Sequence, residues 1–282
     1  MFHLGFPNVN IAIDNATATL APPSAPKTRM MFKKRHRSSS VTKQIVIEDL
    51  SKQLIPIMSS KPFALVLHNL LSPEECANLI RRAEDEGFDD ALIQGPDGKQ
   101  ILRQDIRSCG RCIIDDVGLA DAIFIRIFNA LRGTELEKKI THAPWTTASM
   151  PKSGENVNNE PITAVGLNER MRFLKYQPGH FFAPHQDIRF VRGPECGDKA
   201  GETSHITVQL YLNEKFKGGA TRFLCGKRHY DVKPKVGSVL IFDHDILHEG
   251  SKVTGGVKYS VRTDIMFTPQ GSSTLSRSVT PD

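Results

Sequence analysis

Apolar positions change their period near residue 170, and the change divides the chain into a helical front and a β-rich back. In the front part, Phe63-Ala64-Leu65-Val66-Leu67 is a continuous apolar run of strand length. Leu71-Ser72-Pro73-Glu74-Glu75 then predicts a helix start, with Ser72 as N-cap, Pro73 at the first helical position and Glu75 at the capping-box site. Leu79, Ile80 and Ala83 continue its apolar face, and Gly87 ends it. A second helix is expected over 117–131, with Leu119, Ile123, Ile127 and Ala130 on one side. Residues 148–166, rich in Pro, Gly and Asn, read as a long exposed loop. From Arg170 onward the segments 171–176, 206–213, 220–224, 238–243 and 257–267 are strand candidates between Gly/Pro-rich turns. Many short strands behind a helical front predict an α+β fold, a double-stranded β-helix (jelly roll) with N-terminal helices packed on one sheet. There is no internal repeat, and one domain is expected over 45–270, with a tail at 271–282.

Charge alters this picture only when it is located. The net charge of +6 resides in residues 1–44, which hold seven Lys/Arg and one acid, so the remaining 238 residues balance to zero. A neutral domain body argues against a nucleic-acid groove. The basic tail lacks apolar periodicity and is expected to be disordered. Its Lys33-Lys34-Arg35-His36-Arg37 run fits a nuclear-import patch, its acid-poor composition fits a mitochondrial transit peptide, and a plain solvated tail fits equally. The five cysteines form an odd, scattered set without a signal-peptide core, which predicts reduced thiols in a cytoplasmic or nuclear, not secreted, protein. Cys109-Gly-Arg-Cys112 is a C-x-x-C with no second pair at zinc-ribbon spacing, so two ordinary thiols are expected there. No stretch reaches the roughly twenty apolar residues needed to span a bilayer, and no membrane partner is expected.

The chemistry concentrates in His185-Gln186-Asp187 and in His248, sixty-one residues further on. Two imidazoles and one carboxylate fill one face of an octahedral Fe(II) ion and leave the opposite face open. Residues i and i+2 of a strand point the same way, so His185 and Asp187 can reach one metal while Gln186 faces away. His248 stands where the strand built on Ser238-Val239-Leu240-Ile241-Phe242 would end. The neighbouring Asp243-His244-Asp245 reads as strand end and support.

Lys258 sharpens the reading. Val257–Arg262 alternates so that Lys258, Ser260 and Arg262 share one face. A cation inside a jelly roll is costly without an anionic partner. A dicarboxylate that chelates iron with its keto-acid end and reaches the cation with its far carboxylate supplies one, and 2-oxoglutarate is such a molecule. Tyr211 and Tyr176 lie on neighbouring candidate strands and could donate hydroxyls to that carboxylate or to the chelating end. Arg262 could share the carboxylate, pair with a nearby acid or face substrate.

On these residues the chain resembles the Fe(II)/2-oxoglutarate-dependent dioxygenases, most closely the prolyl 4-hydroxylase catalytic-domain group. The matching text is Arg172–Tyr176 and Gly179 ahead of His185-Gln186-Asp187, then Val208–Asn213 with Gly218-Gly219, then Gly237–Phe242 leading to His248 and Lys258. It covers roughly 62–268, with the specific motifs confined to 172–262. The resemblance implies Fe(II) on His185, Asp187 and His248, the C5 carboxylate of 2-oxoglutarate on Lys258 with help from Tyr211, and Tyr176 lining the same pocket. It implies O2 as oxidant, succinate and CO2 as coproducts, L-ascorbate as an optional reductant, and a prolyl residue of a peptide or protein as the hydroxylated group. A small-molecule hydroxylase and a non-catalytic jelly-roll binding module are the alternatives. Substrate contacts are expected in the 92–108 segment (Arg103, Arg107) and the 148–166 loop.

Overall fold

The structure, a computed structural model, describes residues 44–55, 62–95, 97, 99–143 and 162–269. Its large sheet runs in the order Val46–Asp49, Ala64–His68, Val239–Asp243, Thr203–Tyr211, Lys258–Pro269, Arg170–Tyr176, Gly110–Asp115, Asp89–Asp90, each strand antiparallel to the next. A smaller sheet runs Arg228–Val232, Thr221–Cys225, His248–Gly250, Phe181–His185, Arg107–Ser108. Two antiparallel sheets with helices against one of them are the expected jelly roll.

Alternation along the strands decides which layer each residue joins. In Thr203–Tyr211, Val208 and Leu210 face the helices, where they pack with Leu65, Leu67, Ile241 and Val261. Leu79 and Ala83 of Pro73–Glu86 and Leu119, Ile123 and Ile127 of Val117–Leu131 complete that core. Tyr211 of the same strand faces the other way, into the space between the sheets, with Val66, Leu240, Phe242 and Phe223. Pairing Val208 opposite Ile241 and Thr207 opposite Phe242 keeps both faces in register across neighbouring strands. A slip of one residue would exchange core for cavity along the strand.

Both helices begin as their local chemistry requires. Ser72 Oγ accepts from the Glu75 N–H at 3.1 Å, and the Glu75 carboxylate accepts from the Ser72 N–H at 2.8 Å, which closes the capping box. Asp116 caps Val117–Leu131 by accepting from the Leu119 N–H at 2.8 Å. Among the described residues no helix is long and apolar enough to cross a membrane.

Three expectations are corrected. Residues 162–166, expected in a loop, belong to the strand Ile162–Leu167, which pairs with Lys258–Pro269, and 148–161 lie outside the described residues. The front half also supplies Arg107–Ser108 and Gly110–Asp115, one to each sheet. Their Arg-rich sequence has no apolar alternation, so packing rather than propensity makes them strands. His248 does not end the Val239–Asp243 strand but opens His248–Gly250 in the opposite sheet.

Candidate active site

His185 and His248 are a directly paired couple. They stand opposite one another in the antiparallel pairing of Phe181–His185 with His248–Gly250, and their ring centroids are 4.3 Å apart. Each ring places Nδ1 2.8 Å from a carbonyl oxygen two residues back, Ala183 for His185 and Ile246 for His248. A carbonyl can only accept, so Nδ1 carries the proton and Nε2 keeps its lone pair for the cavity. Burial, and then the His248 ring, lower the His185 pKa to about 3. Burial lowers that of His248 too, against the pull of Asp187. Both rings are therefore neutral ligands at ordinary pH.

Asp187 completes the group from outside any strand. Phe181–His185 ends before it, and the Asp187 N–H donates to the His244 carbonyl at 3.0 Å. The expected strand alternation through Asp187 is thus replaced by a loop held from the Asp243-His244-Asp245 turn. Gln186 lies in that loop, with its amide donating to the Asp245 carbonyl at 2.6 Å. The Asp187 carboxylate stands 3.9 Å from His185 Nε2 and 3.8 Å from His248 Nε2, and the three donor groups lie within 4.8 Å of one another. One ion with bonds of about 2.1 Å fits that spacing. With two neutral imidazoles and a carboxylate, the donor set suits Fe(II).

The carboxylate itself is held on both oxygens. Thr207 donates its hydroxyl to Oδ2, and Arg262 approaches Oδ1 at 3.0 Å. Arg262 also stands 3.0 Å from Asp264 Oδ1, and Asp264 pairs with Arg172 at 3.2 Å. His244 Nε2 lies 3.3 Å from Asp264, near enough for electrostatic contact but not aligned as a hydrogen bond. Burial alone would raise the Asp187 carboxyl, but Arg262 and then His248 outweigh it and hold it well below the usual carboxylate range. Of the roles the sequence left open for Arg262, sharing the co-substrate carboxylate, pairing with an acid or facing substrate, the structure shows the pairing, with Asp187 and Asp264.

Lys258 occupies the other end of the cavity. It is 3% exposed, and its Nζ donates to the Gly219 carbonyl at 2.7 Å. The ammonium lies over the rings of Tyr176 at 5.2 Å and Tyr211 at 5.6 Å. Among the described residues no carboxylate pairs with it, and burial lowers its pKa to about 8. A buried ammonium met only by a carbonyl and two ring faces fits the carboxylate of a diacid. Tyr211 shares a 2.7 Å hydrogen bond with Thr221, which lines the cavity together with Lys258 and Tyr176. Burial raises the pKa of both tyrosines, so each stays a neutral hydroxyl. Gly219 makes room for the cation: its φ is +68°, and an added Cβ would lie 3.2 Å from Lys258 Cδ and 2.9 Å from the Phe216 ring.

The metal group and Lys258 line one cavity of about 560 Å³. A family model described as the 2OG-Fe(II) oxygenase superfamily matches residues 171–263, the stretch that carries the three metal-binding groups and Lys258. The region from 171 to 263 belongs to the 2OG-Fe(II) oxygenase superfamily. The oxygenase is 26% identical over 234 residues to probable prolyl 4-hydroxylase 3 of Arabidopsis thaliana, a match covering 74% of this chain and 70% of the relative. It is 25% identical over 224 residues to prolyl 4-hydroxylase 1 of the same plant, covering 72% and 69%. Among solved structures, a Pseudomonas putida prolyl-4-hydroxylase aligns with a TM-score of 0.46 at 21% identity, over 77% of the oxygenase and 96% of that chain. The cofactors of the oxygenase are Fe(II), 2-oxoglutarate and O2.

The fold brings His185, Asp187, His248, Lys258, Tyr176, Tyr211 and Arg262 into that one space, Tyr211 behind the Thr221 hydroxyl. Arg107 joins them, whereas Arg103 is exposed and spent on Asp105 at 2.6 Å. Cys109 and Cys112 are free, buried thiols on opposite sides of the sheet: Cys109 lies 3.3 Å from Arg107 Nε, and Cys112 packs in the helix-facing core. Thr207, Thr221 and Asp264 did not stand out in the sequence, and Arg172 and Gly219 stood only in the matching text, with no role assigned. Thr207 lies four residues from Tyr211 and Arg172 four from Tyr176, so strand parity alone places them on the cavity face.

Proposed function

We propose that this oxygenase hydroxylates prolyl residues in a peptide or protein. The observation that carries the reading is the cavity: it extends from Lys258 past the three metal-binding groups to a mouth between the 92–107 and 186–191 segments. A five-carbon diacid fills only its inner end, which leaves the mouth for an extended chain. The similarity to proteins named as prolyl 4-hydroxylases supports proline as the target.

In this reading His185, Asp187 and His248 hold Fe(II), Lys258 receives the C5 carboxylate of 2-oxoglutarate, and Tyr211 acts through Thr221 at the same end. Bound iron, with 2-oxoglutarate and O2, supplies the oxidising chemistry that yields succinate, CO2 and a hydroxylated C–H bond. The protein orients the partners. The two Nδ1–H···O=C hydrogen bonds fix the imidazole rings, and Arg262 and Thr207 fix the carboxylate between them.

The test combines two measurements on the Fe(II)-loaded protein. Succinate should form from 2-oxoglutarate, and proline-containing peptides should gain one oxygen, located by mass spectrometry on the proline ring. Succinate formation with no proline peptide modified in a broad library would reject the prolyl reading while leaving the oxygenase chemistry intact.

A further inference from the structure

Positive charge lines the cavity beyond what the iron site and 2-oxoglutarate use. Arg107, Arg111, Arg172, Arg189, Lys258 and Arg262 contribute to its wall, against the carboxylates of Asp187 and Glu249. Most have assigned partners. Arg172 and Arg262 face Asp264, Arg262 also faces Asp187, and Arg189 stands 3.3 Å from Asp245. Lys258 is the cation for the co-substrate. Glu249 leans outward toward Arg222 at 3.6 Å.

Arg107 and Arg111 remain. Among the described residues neither has a carboxylate oxygen within 4.0 Å. Arg107 lies opposite Phe182 across the small sheet, its guanidinium carbon 4.6 Å from that ring, with Nε 3.3 Å from Cys109 Sγ. Arg111 lies opposite Leu174 in the large sheet and turns its side chain to the same cavity, where Nη1 reaches the Leu92 carbonyl at 3.4 Å. Burial, and then the charge of Arg107, lower the Arg111 pKa. Two half-buried guanidiniums that meet a thiol, the Tyr176 hydroxyl, a ring face and a single carbonyl, but no carboxylate, lack the anionic partner that buried cations favour. An anion between them supplies one, and the planar guanidinium is suited to carboxylates.

The mouth shows what kind of molecule brings the anion. Leu92, Ile93 and Ile106 line one side, and Ile188, Phe190 and Val191 line the other, the last three exposed by 67%, 39% and 57%. An apolar rim around a basic wall suits a peptide with apolar residues and one inward-pointing acid. It does not suit a polyanion: the arginines sit inside a cavity rather than along a face, and the chain after residue 44 carries no net charge. We propose that Arg107 and Arg111 bind an acidic side chain of the peptide substrate, an Asp or Glu close in sequence to the hydroxylated residue. The inference rests on the peptide-substrate reading above and gives it a chemical specificity.

The test uses the full-length protein loaded with Fe(II) and 2-oxoglutarate under anaerobic conditions, so that binding is read without turnover. Fluorescent proline peptides carrying Asp, Asn or Lys at each flanking position are titrated by anisotropy, then assayed for oxygen gain in air. A charge-assisted contact predicts roughly 10- to 100-fold tighter binding of the best Asp peptide than of its Asn twin. In Arg111→Gln and Arg107→Gln that ratio should fall toward one, and in Arg111→Glu the Lys peptide should overtake the Asp peptide. Such ratios are internal to each variant and are insensitive to a general loss of folded protein. No Asp preference, an unchanged ratio in both Gln variants, or equal competition by a short single-stranded DNA would overturn the proposal. Tight Asp-dependent binding without oxygen on proline would sustain it and reject proline as the target.

Discussion

Arg262 Nη2 stands 3.0 Å from Asp187 Oδ1, so the carboxylate placed to ligate the metal is also ion-paired with a buried guanidinium. The arginine fixes the carboxylate's orientation and, through Asp264, is fixed in turn by Arg172. Partners of metal ligands typically contribute 10- to 100-fold to metal affinity. Arg262→Met should therefore weaken Fe(II) binding by about 10- to 100-fold, read by anaerobic titration of the metal-free protein. It should also lower stability by roughly 3–5 kcal/mol, because Asp264 and Asp187 lose a buried cation. Thr207→Val removes only the hydrogen bond on Oδ2 and should cost less on both measurements. Equal metal affinity in native and Arg262→Met protein would remove the positioning role.

The pKa of Lys258, lowered by burial from 10.5 to about 8, sets a pH limit on co-substrate binding. The carboxylate needs the ammonium form. Below pH 8 the free protein already has it and affinity is level, whereas above pH 8 binding must take up a proton and affinity falls by about tenfold per pH unit. Calorimetric titration of 2-oxoglutarate from pH 6.5 upward should show that break. Lys258→Arg should abolish it, because guanidinium stays charged throughout. Lys258→Ala should raise the KM for 2-oxoglutarate by roughly 10- to 100-fold, the loss expected for a charged hydrogen bond.

Removing the carboxylate has a different signature. Asp187→Asn leaves the geometry nearly intact but places a neutral amide beside Arg262 and gives the ion a weaker donor. Succinate formation should fall to background at all 2-oxoglutarate concentrations, and Fe(II) affinity should drop with it. A variant that binds Fe(II) as well as native protein would show that Asp187 is not a ligand.

Gly219 tests the wall behind the ammonium. Its φ of +68° disfavours any side chain, and a Cβ would press on Lys258 Cδ at 3.2 Å. Gly219→Ala should cost roughly 1–2 kcal/mol of stability from the left-handed backbone. The displaced lysine should also bind 2-oxoglutarate more weakly. Unchanged 2-oxoglutarate affinity would mean that the lysine is held by Tyr176 and Tyr211 rather than by the glycine.

The strands expected over 171–176, 206–213, 220–224, 238–243 and 257–267 were legible because an alternating or continuous apolar run of strand length is a local property of the chain, whereas Phe181–His185, Arg228–Val232 and His248–Gly250 carry no such run. For the same reason parity placed Lys258, Arg262 and Tyr211 on one cavity-facing side. The two helix starts were legible too, since Ser72 with Glu75 satisfies backbone donors within four residues. The segments Arg107–Ser108 and Gly110–Asp115 were not, because their strand state comes from partners far along the chain, Phe181–His185 and Arg170–Tyr176.

The amino-acid order by itself determined the donor types, the spacing of His185, Asp187, His248 and Lys258, and hence the class of chemistry. Tertiary structure alone decided that His248 faces His185 across a strand pair, that Asp187 is held by a loop, and that Arg262 belongs to Asp187. It also brought Arg107 and Arg111 into the same cavity as the metal-binding groups. Donor chemistry is carried by single residues, whereas the partner of a buried charge is set by which strands lie side by side.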